Sequence, residues 1–411
     1  VITSLEVKGF KSLTNFELHF TPGLNVLIGP NGAGKSNICQ ALGLLSALAE
    51  GNFVEYILSL GGVAAIFSLY DSTSPEKEPA NTLEIACRGR TSSDYANEHF
   101  ELKYEYRVGL RHRETELQIF KETLDLRRRS PAGGWRAIIH AQRERKDEEI
   151  VSVTIRNRDL LGPTIFARLR EEKRFELTLP FPSRSFLLDL TIFYICDRVR
   201  KDLSSARTWN IDPHLAKRSL DIVEPLTMLP DGRRLAGAIY SMERADKKRF
   251  DELNAFLSEI LPRYGELKSR FSPDKLIRYF SVVYTDRIEF AAHSLPDGIV
   301  KIIALVVAFL SEKPDSTVIE EPENYLHPWA CQWLIEYLRD ISAQGNCILT
   351  THSETILNRV LPNEIVVVTN ESGATKAERL SNKKALSKAI QETGFGCGYH
   401  YLTGALGGVP E

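Results

Sequence analysis

Eight consecutive residues have the types and spacing to hold a phosphate group. Gly29-Pro30-Asn31-Gly32-Ala33-Gly34-Lys35-Ser36 meets every fixed position of G-x-x-x-x-G-K-[ST]. Glycines let successive backbone N–H groups turn towards one anion with no side chain in the way, and a helix starting just after them adds the positive end of its dipole. Lys35 is placed to reach the β- and γ-phosphates of a nucleotide, and the Ser36 hydroxyl to bind Mg²⁺.

A second group lies far downstream. Ser316 to Glu323 reads as a short apolar strand ending in acids, followed by a helix over Pro328 to Asp340. Carboxylates at the C-terminal end of such a strand stand at the crest of an α/β sheet, where a phosphate loop also sits. This is the pattern of a Walker B element: Glu320 holds Mg²⁺ directly or through water, and Glu321 orients and activates the attacking water as general base. The competing reading is an acidic turn in which Glu323 and Asn324 cap the helix. Cys347 to Ser353 is a further apolar strand ending in His352, which reads as a γ-phosphate sensor.

The elements that must position these groups are legible in outline. Ile2 to Val7 and Phe16 to Phe20 alternate as strands, Thr21-Pro22-Gly23 turns, and Leu24 to Ile28 carries the loop; these strands are expected at the edge of the nucleotide-binding sheet. Helical spacing runs from Ser36 to about Glu50 and over Asn52 to Leu60, and Asp71 to Asn81 reads as an exposed loop. From Thr82 to about Leu179 the alternation predicts an antiparallel sheet with one wet face. Between Phe186 and about Phe271 the spacing is helical, and 276–292 predicts two strands. The chain therefore divides into 1–75, a lobe with the phosphate loop; 76–275, an inserted β-rich and helical region; and 276–411, a lobe with the acids and the histidine.

Net charge is −2, which argues against a polyelectrolyte binder in bulk but leaves local patches open. Glu105 to Phe175 holds 17 Lys/Arg against 12 Asp/Glu, densest at Arg127-Arg128-Arg129 and Arg143-Glu144-Arg145-Lys146. Two readings fit: a solvated face with interspersed acids, or a surface that tracks the phosphates of DNA or RNA. Six scattered cysteines, without a C-x-x-C pair or a His at zinc-finger spacing, argue against a disulfide framework or structural metal and suggest a reducing, cytoplasmic setting. The most apolar run, Ile299 to Leu310, contains Lys301 and is too short for a bilayer, so no membrane contact is expected.

The phosphate loop with Asn37 after it, Ser294-Leu295-Pro296-Asp297-Gly298, Glu320-Glu321-Pro322-Glu323-Asn324-Tyr325-Leu326-His327-Pro328 and Thr350-Thr351-His352-Ser353 together resemble the ATPase heads of the RecF/SMC/OLD branch of the ABC ATPases. Within it the chain is similar to stand-alone bacterial AAA family ATPases, whose C-terminal segment resembles Leu402 to Pro410. The resemblance implies an α/β fold: a P-loop ATPase head with a mixed sheet, plus an inserted antiparallel β and helical lid region. It implies ATP and Mg²⁺ as ligands, with nucleotide contacts from Gly29, Asn31, Gly32, Gly34, Lys35, Ser36 and Asn37. Lys35, Glu321 and His352 are implied as catalytic groups, and Ser36 and Glu320 as metal ligands. It also implies a head-to-head homodimer or higher oligomer in which Asp297 and Gly298 of one subunit complete the partner's site. Two departures stand out: Pro296 replaces the usual serine before Asp-Gly, and Glu320 replaces the usual aspartate.

OLD-type relatives carry a TOPRIM nuclease after the ATPase. Only Ser353 to Glu411 follows His352, with no D-x-D pair. The expectation is an ATPase without that domain, acting through a separately encoded effector, perhaps a nuclease, in nucleic-acid maintenance or phage defence. The alternative is a slow nucleotide-dependent dimerisation switch or scaffold. A transporter subunit is disfavoured by the weak signature and large insertion.

Overall fold

A computed structural model describes residues 1–68, 80–95, 98–113, 116–145, 149–157, 174–179, 185–190, 194–312, 315–343, 345–380, 386, 388 and 391–403. The chain opens with β1 (Ile2–Phe10), β2 (Leu13–His19) and β3 (Gly23–Ile28), then helices α1 (Lys35–Glu50) and α2 (Phe53–Ser59). Six strands follow: β4 (Thr82–Tyr95), β5 (Glu98–Arg113), β6 (Glu116–Arg129), β7 (Trp135–Arg145), β8 (Glu149–Ile155) and β9 (Arg174–Thr178). Helix α3 (Tyr194–Ser205) leads to β10 (Thr208–Trp209), α4 (Pro213–Ala216), β11 (Leu220–Asp221), and the helix pair α5 (Leu235–Ala245) and α6 (Lys247–Ile260). Next come β12 (Tyr264–Phe271), β13 (Ile277–Tyr284), β14 (Glu289–Ala291), α7 (Asp297–Glu312), β15 (Ser316–Glu320), α8 (Pro328–Ile341), β16 (Asn346–Thr350), α9 (Glu354–Leu357), β17 (Ile365–Glu371), β18 (Ala374–Arg379) and α10 (Cys397–Leu402).

Among the described residues these strands form three sheets. The mixed sheet runs β10-β15-β16-β3-β17-β18, parallel except for the hairpin β17–β18. Its inner strands are buried on both faces, so β3 and β16 read as nearly continuous apolar runs rather than alternating ones. The alternation is still there, directed at two different cores. Leu24, Val26 and Ile28 pack with α5 to α8, whereas Leu27 packs with α1 and the antiparallel sheet. Helix α1, with Leu42, Leu45 and Leu48 buried, is the layer between the two sheets.

The antiparallel sheet runs β2-β1-β4-β5-β6-β7-β8-β9. This corrects the expected place of residues 1–20. β1 and β2 do not edge the nucleotide-binding sheet; β1 pairs with β4, so the sheet crosses the 75/76 division. Their alternation, buried Leu5, Val7, Phe16 and Leu18 against polar neighbours, suits a sheet with one wet face, while of the first three strands β3 alone has the two-sided apolar run a central parallel strand requires. β10 likewise leaves the middle region to join β15. The helical reading up to Phe271 is also corrected: Tyr264–Phe271 is a strand, paired with β13. The expected loop at 71–79, Lys146, and 404–411 of the C-terminal segment lie outside the described residues. Among the described residues no helix is long and apolar enough to cross a membrane.

Candidate nucleotide site

The C-terminal ends of β10, β15, β16 and β3 meet at one crest, because parallel neighbours end on the same side. At that crest the phosphate loop leaves β3. Gly29, Gly32 and Gly34 all have positive φ (156°, 81° and 103°). At two of them space as well as angle requires glycine: a Cβ at Gly29 would lie 2.1 Å from the Val368 carbonyl oxygen, and one at Gly34 1.9 Å from Thr375 Oγ1. The Lys35 ammonium donates to the Gly29 and Pro30 carbonyls at 2.8 and 3.0 Å. Burial lowers its pKa, and the Glu321 and Glu323 charges oppose that shift. Asn31, Gly32 and Ser36 are exposed. The Asn37 amide is engaged elsewhere, donating to Ser12 Oγ at 2.7 Å.

β15 delivers Glu320 to the same crest, where the Ser36 hydroxyl and, at 3.3 Å, the Asn210 amide hydrogen-bond to it. Burial raises the Glu320 pKa against these two bonds, and the adjacent Glu321 charge raises it further. Its Oε1 is buried with no hydrogen-bond partner among the described residues. Glu321 turns away from the strand at φ 42°, the left-handed region that favours glycine, held by its N–H to the backbone and side-chain oxygens of Thr350 at 3.1 and 3.2 Å. Its carboxylate accepts from the Asn324 amide at 3.0 Å and lies 3.8 Å from His352 Nε2. Glu323 receives the Thr351 hydroxyl at 2.7 Å and the His352 N–H at 2.9 Å. Burial lowers the His352 pKa, and the Lys35 charge lowers it further against the Glu321 and Glu323 charges, which favours the neutral ring. Helix α8 starts one turn on, capped by His327 Nδ1 accepting from Trp329 N–H, with Pro328 in its first turn.

The structure thus gathers Lys35, Ser36, Glu320, Glu321 and His352. It does not bring Asp297 or Gly298 to them. Asp297 accepts from Lys217 Nζ at 2.5 Å, a bond that lowers its pKa, and His214 stands 3.8 Å away. Gly298 opens the apolar helix α7 so close to the Tyr325 carbonyl oxygen that a Cβ would meet it at 2.7 Å.

Several contributors have no signal in the sequence pattern. Asn210 follows a strand of two residues, too short to show a period. Ser12 and Thr375, 363 positions apart, share a 2.6 Å hydrogen bond behind the loop, and Thr375 also donates to the Ala33 carbonyl at 2.9 Å. The buried Tyr401 hydroxyl accepts from the Gly29 N–H, tying α10 to the loop.

A phosphate loop, a carboxylate strand and a strand-end histidine on a mixed sheet, with an antiparallel sheet behind α1, define an ABC-type ATPase head of the RecF/SMC kind. The chain belongs to the family described as "AAA domain, putative AbiEii toxin, Type IV TA system", whose sequence profile matches residues 24–358. Its fold is similar to that in the crystal structure of the SmcHead bound to the C-winged helix domain of ScpA, with a TM-score of 0.52 and 16% identity over 93% of this chain and 99% of that one. Local sequence matches include the DNA replication and repair protein RecF of Magnetococcus marinus, 52% identical over 42 residues (10% of this chain, 11% of that protein). The DNA repair protein RecN of Xylella fastidiosa is 39% identical over 70 residues (17% of this chain, 13% of that protein). These matches span only about a tenth of the curated relatives.

Proposed function

We propose that this chain is a Mg²⁺-dependent ATPase that binds and hydrolyses ATP, pairs head-to-head around nucleotide, and couples turnover to nucleic-acid maintenance or phage defence through a separate effector. The observation that carries this reading is the convergence of Lys35, Ser36, Glu320, Glu321 and His352 on one crest from segments far apart in the chain.

Each group has a distinct task. Lys35 binds the β- and γ-phosphates with the loop N–H groups. Glu321 holds the attacking water and takes its proton as the new P–O bond forms and the bond from the γ-phosphorus to the bridging oxygen breaks, with ADP as the leaving group. Neutral His352 donates an N–H to the γ-phosphate, oriented through Glu323, which fixes its backbone. Ser36 and Glu320 offer the hard oxygen donors that suit Mg²⁺, and the partnerless Glu320 Oε1 is the oxygen such an ion would satisfy. When bound, the ion offsets negative charge on the phosphate oxygens. Asp297 and Gly298, turned from their own loop, suit a role towards a second head.

A slow nucleotide switch is the second reading, favoured by Pro296, which supplies neither hydroxyl nor N–H where the family's serine stands. Turnover of ATP with Mg²⁺, alone and with duplex DNA, single-stranded DNA or RNA, separates the two, together with the mass in solution with and without ATP. Loss of ATP binding in Lys35→Ala is expected. Full turnover in that variant would refute the ATPase assignment, and recovery of a lone, fully active ATPase from native cells would refute the effector.

A further inference from the structure

On the outward face of the antiparallel sheet, one cross-strand row is composed differently from its neighbours. Arg90, Lys103 and Arg127 stand in register across β4, β5 and β6, each directly opposite the next. Like charges in opposed positions destabilise a strand pair. The adjoining rows are neutralised. On one side Arg88 bridges Glu6 at 2.6 Å and Glu105 at 3.4 Å, and Asp125 meets His140 at 2.8 Å. On the other, Arg129 clasps both oxygens of Glu101 at 3.1 and 2.9 Å. Arg90 and Arg127 are exposed, and neither has an ion-pair partner among the described residues. Lys103 Nζ lies 4.2 Å over the ring of Trp135.

Strand pairing, not sequence density, builds this row. Within Arg127-Arg128-Arg129 the alternation sends Arg128 inward, where its guanidinium is buried 3.9 Å from the Phe100 ring centre. Three cations from three strands instead meet along a cleft of about 450 Å³, where Arg88, Arg90, Lys103 and Arg127 outnumber the acids Glu105 and Asp125. With strands roughly 4.8 Å apart, the row presents its charges over about 10 Å.

We infer that this row binds the phosphate backbone of a single-stranded nucleic acid, with Trp135 beside it as a platform for a base. A cationic track edged by an aromatic ring is how sequence-independent single-strand binders grip their ligand. The inference deepens the nucleic-acid part of the function proposed above, but its test is binding alone, with no nucleotide present and no turnover read.

The probe is a fluorescent oligothymidine, its affinity followed by anisotropy from about 50 to 200 mM salt. The triple variant Arg90→Gln, Lys103→Gln, Arg127→Gln should lower the slope of log affinity against log salt by about 2, at roughly 0.7 per phosphate contact on a single strand. Arg129→Gln, outside the row, should leave the slope unchanged. Removing opposed like charges should keep or raise the thermal midpoint of the triple variant, so lost binding would not reflect lost folding. The single variants Arg90→Gln and Arg127→Gln, each losing about 0.7, carry the same test if the triple variant fails to fold. Lys35→Ala should bind the strand as the wild type does, which keeps this result separate from the ATPase reading. Equal slopes in the wild type and variants, no binding at low salt, or tighter binding of a duplex of equal length would overturn the assignment.

Discussion

His352 Nε2 lies 3.8 Å from Glu321 Oε1, while the His352 N–H is held 2.9 Å from Glu323 Oε1. The ends of β15 and β16 are thus locked to each other through two carboxylates: Glu323 braces the strand end, and Glu321, its carboxylate half-exposed, is the proposed general base. Glu321→Gln keeps the Asn324 contact geometry but removes the proton acceptor. Turnover should fall by about 10²-fold or more, with ATP affinity retained and the ATP-bound dimer trapped. Steady-state kinetics beside equilibrium ATP binding checks this, and unchanged turnover would remove Glu321 as the base.

Asn210 donates to Glu320 at 3.3 Å from the end of β10. Its loss frees a carboxylate proposed to hold the metal. Asn210→Ala should raise the Mg²⁺ concentration needed for half-maximal ATP turnover by about ten-fold, the usual scale for partners of metal ligands, and change the Mg²⁺-free affinity for ATP little. A Mg²⁺ titration reads this directly.

Gly34 has φ 103° and no room for a Cβ beside Thr375. Gly34→Ala should therefore cost about 1 to 3 kcal/mol in local strain and weaken ATP binding by at least ten-fold. Thr375→Ala removes the brace to Ala33 without adding a clash, and its effect should be smaller. Calorimetry of ATP binding together with thermal unfolding ranks the two.

Lys301, buried in α7, donates to the Ile211 carbonyl at 2.7 Å, and burial pushes its pKa down to about 8 from 10.5. Between those values the unfolded chain binds more protons than the folded one, so this group makes stability rise with pH from about 8 to 10.5. The difference in unfolding free energy between wild type and Lys301→Met should grow in the wild type's favour by about 3 kcal/mol across that window. Urea midpoints at a series of pH values measure it; a flat difference would place the ammonium in water.

The phosphate loop, the acids of β15 and the histidine after β16 were legible because each is a local pattern: glycines where the backbone must turn, an apolar run, then a polar group at its end. Regular helices showed for the same reason, and α1 and α8 appear close to their expected bounds. Asn210, Thr375 and Tyr401 were not legible. Each reaches the site from a segment whose own pattern is ordinary, and only the packing of β10, β18 and α10 brings it there.

What the sequence by itself determined is the chemistry: a loop shaped for phosphate, two acids at a strand end, and a histidine one strand on. Tertiary structure alone decided where the first strands belong and what the basic residues form. Which sheet a strand joins depends on which of its faces finds an apolar partner, and β1 and β2 find theirs beside β4. Charge density along the chain says nothing about neighbours across strands. Register alone separates Arg127 from the buried Arg128 and sets it beside Lys103 and Arg90.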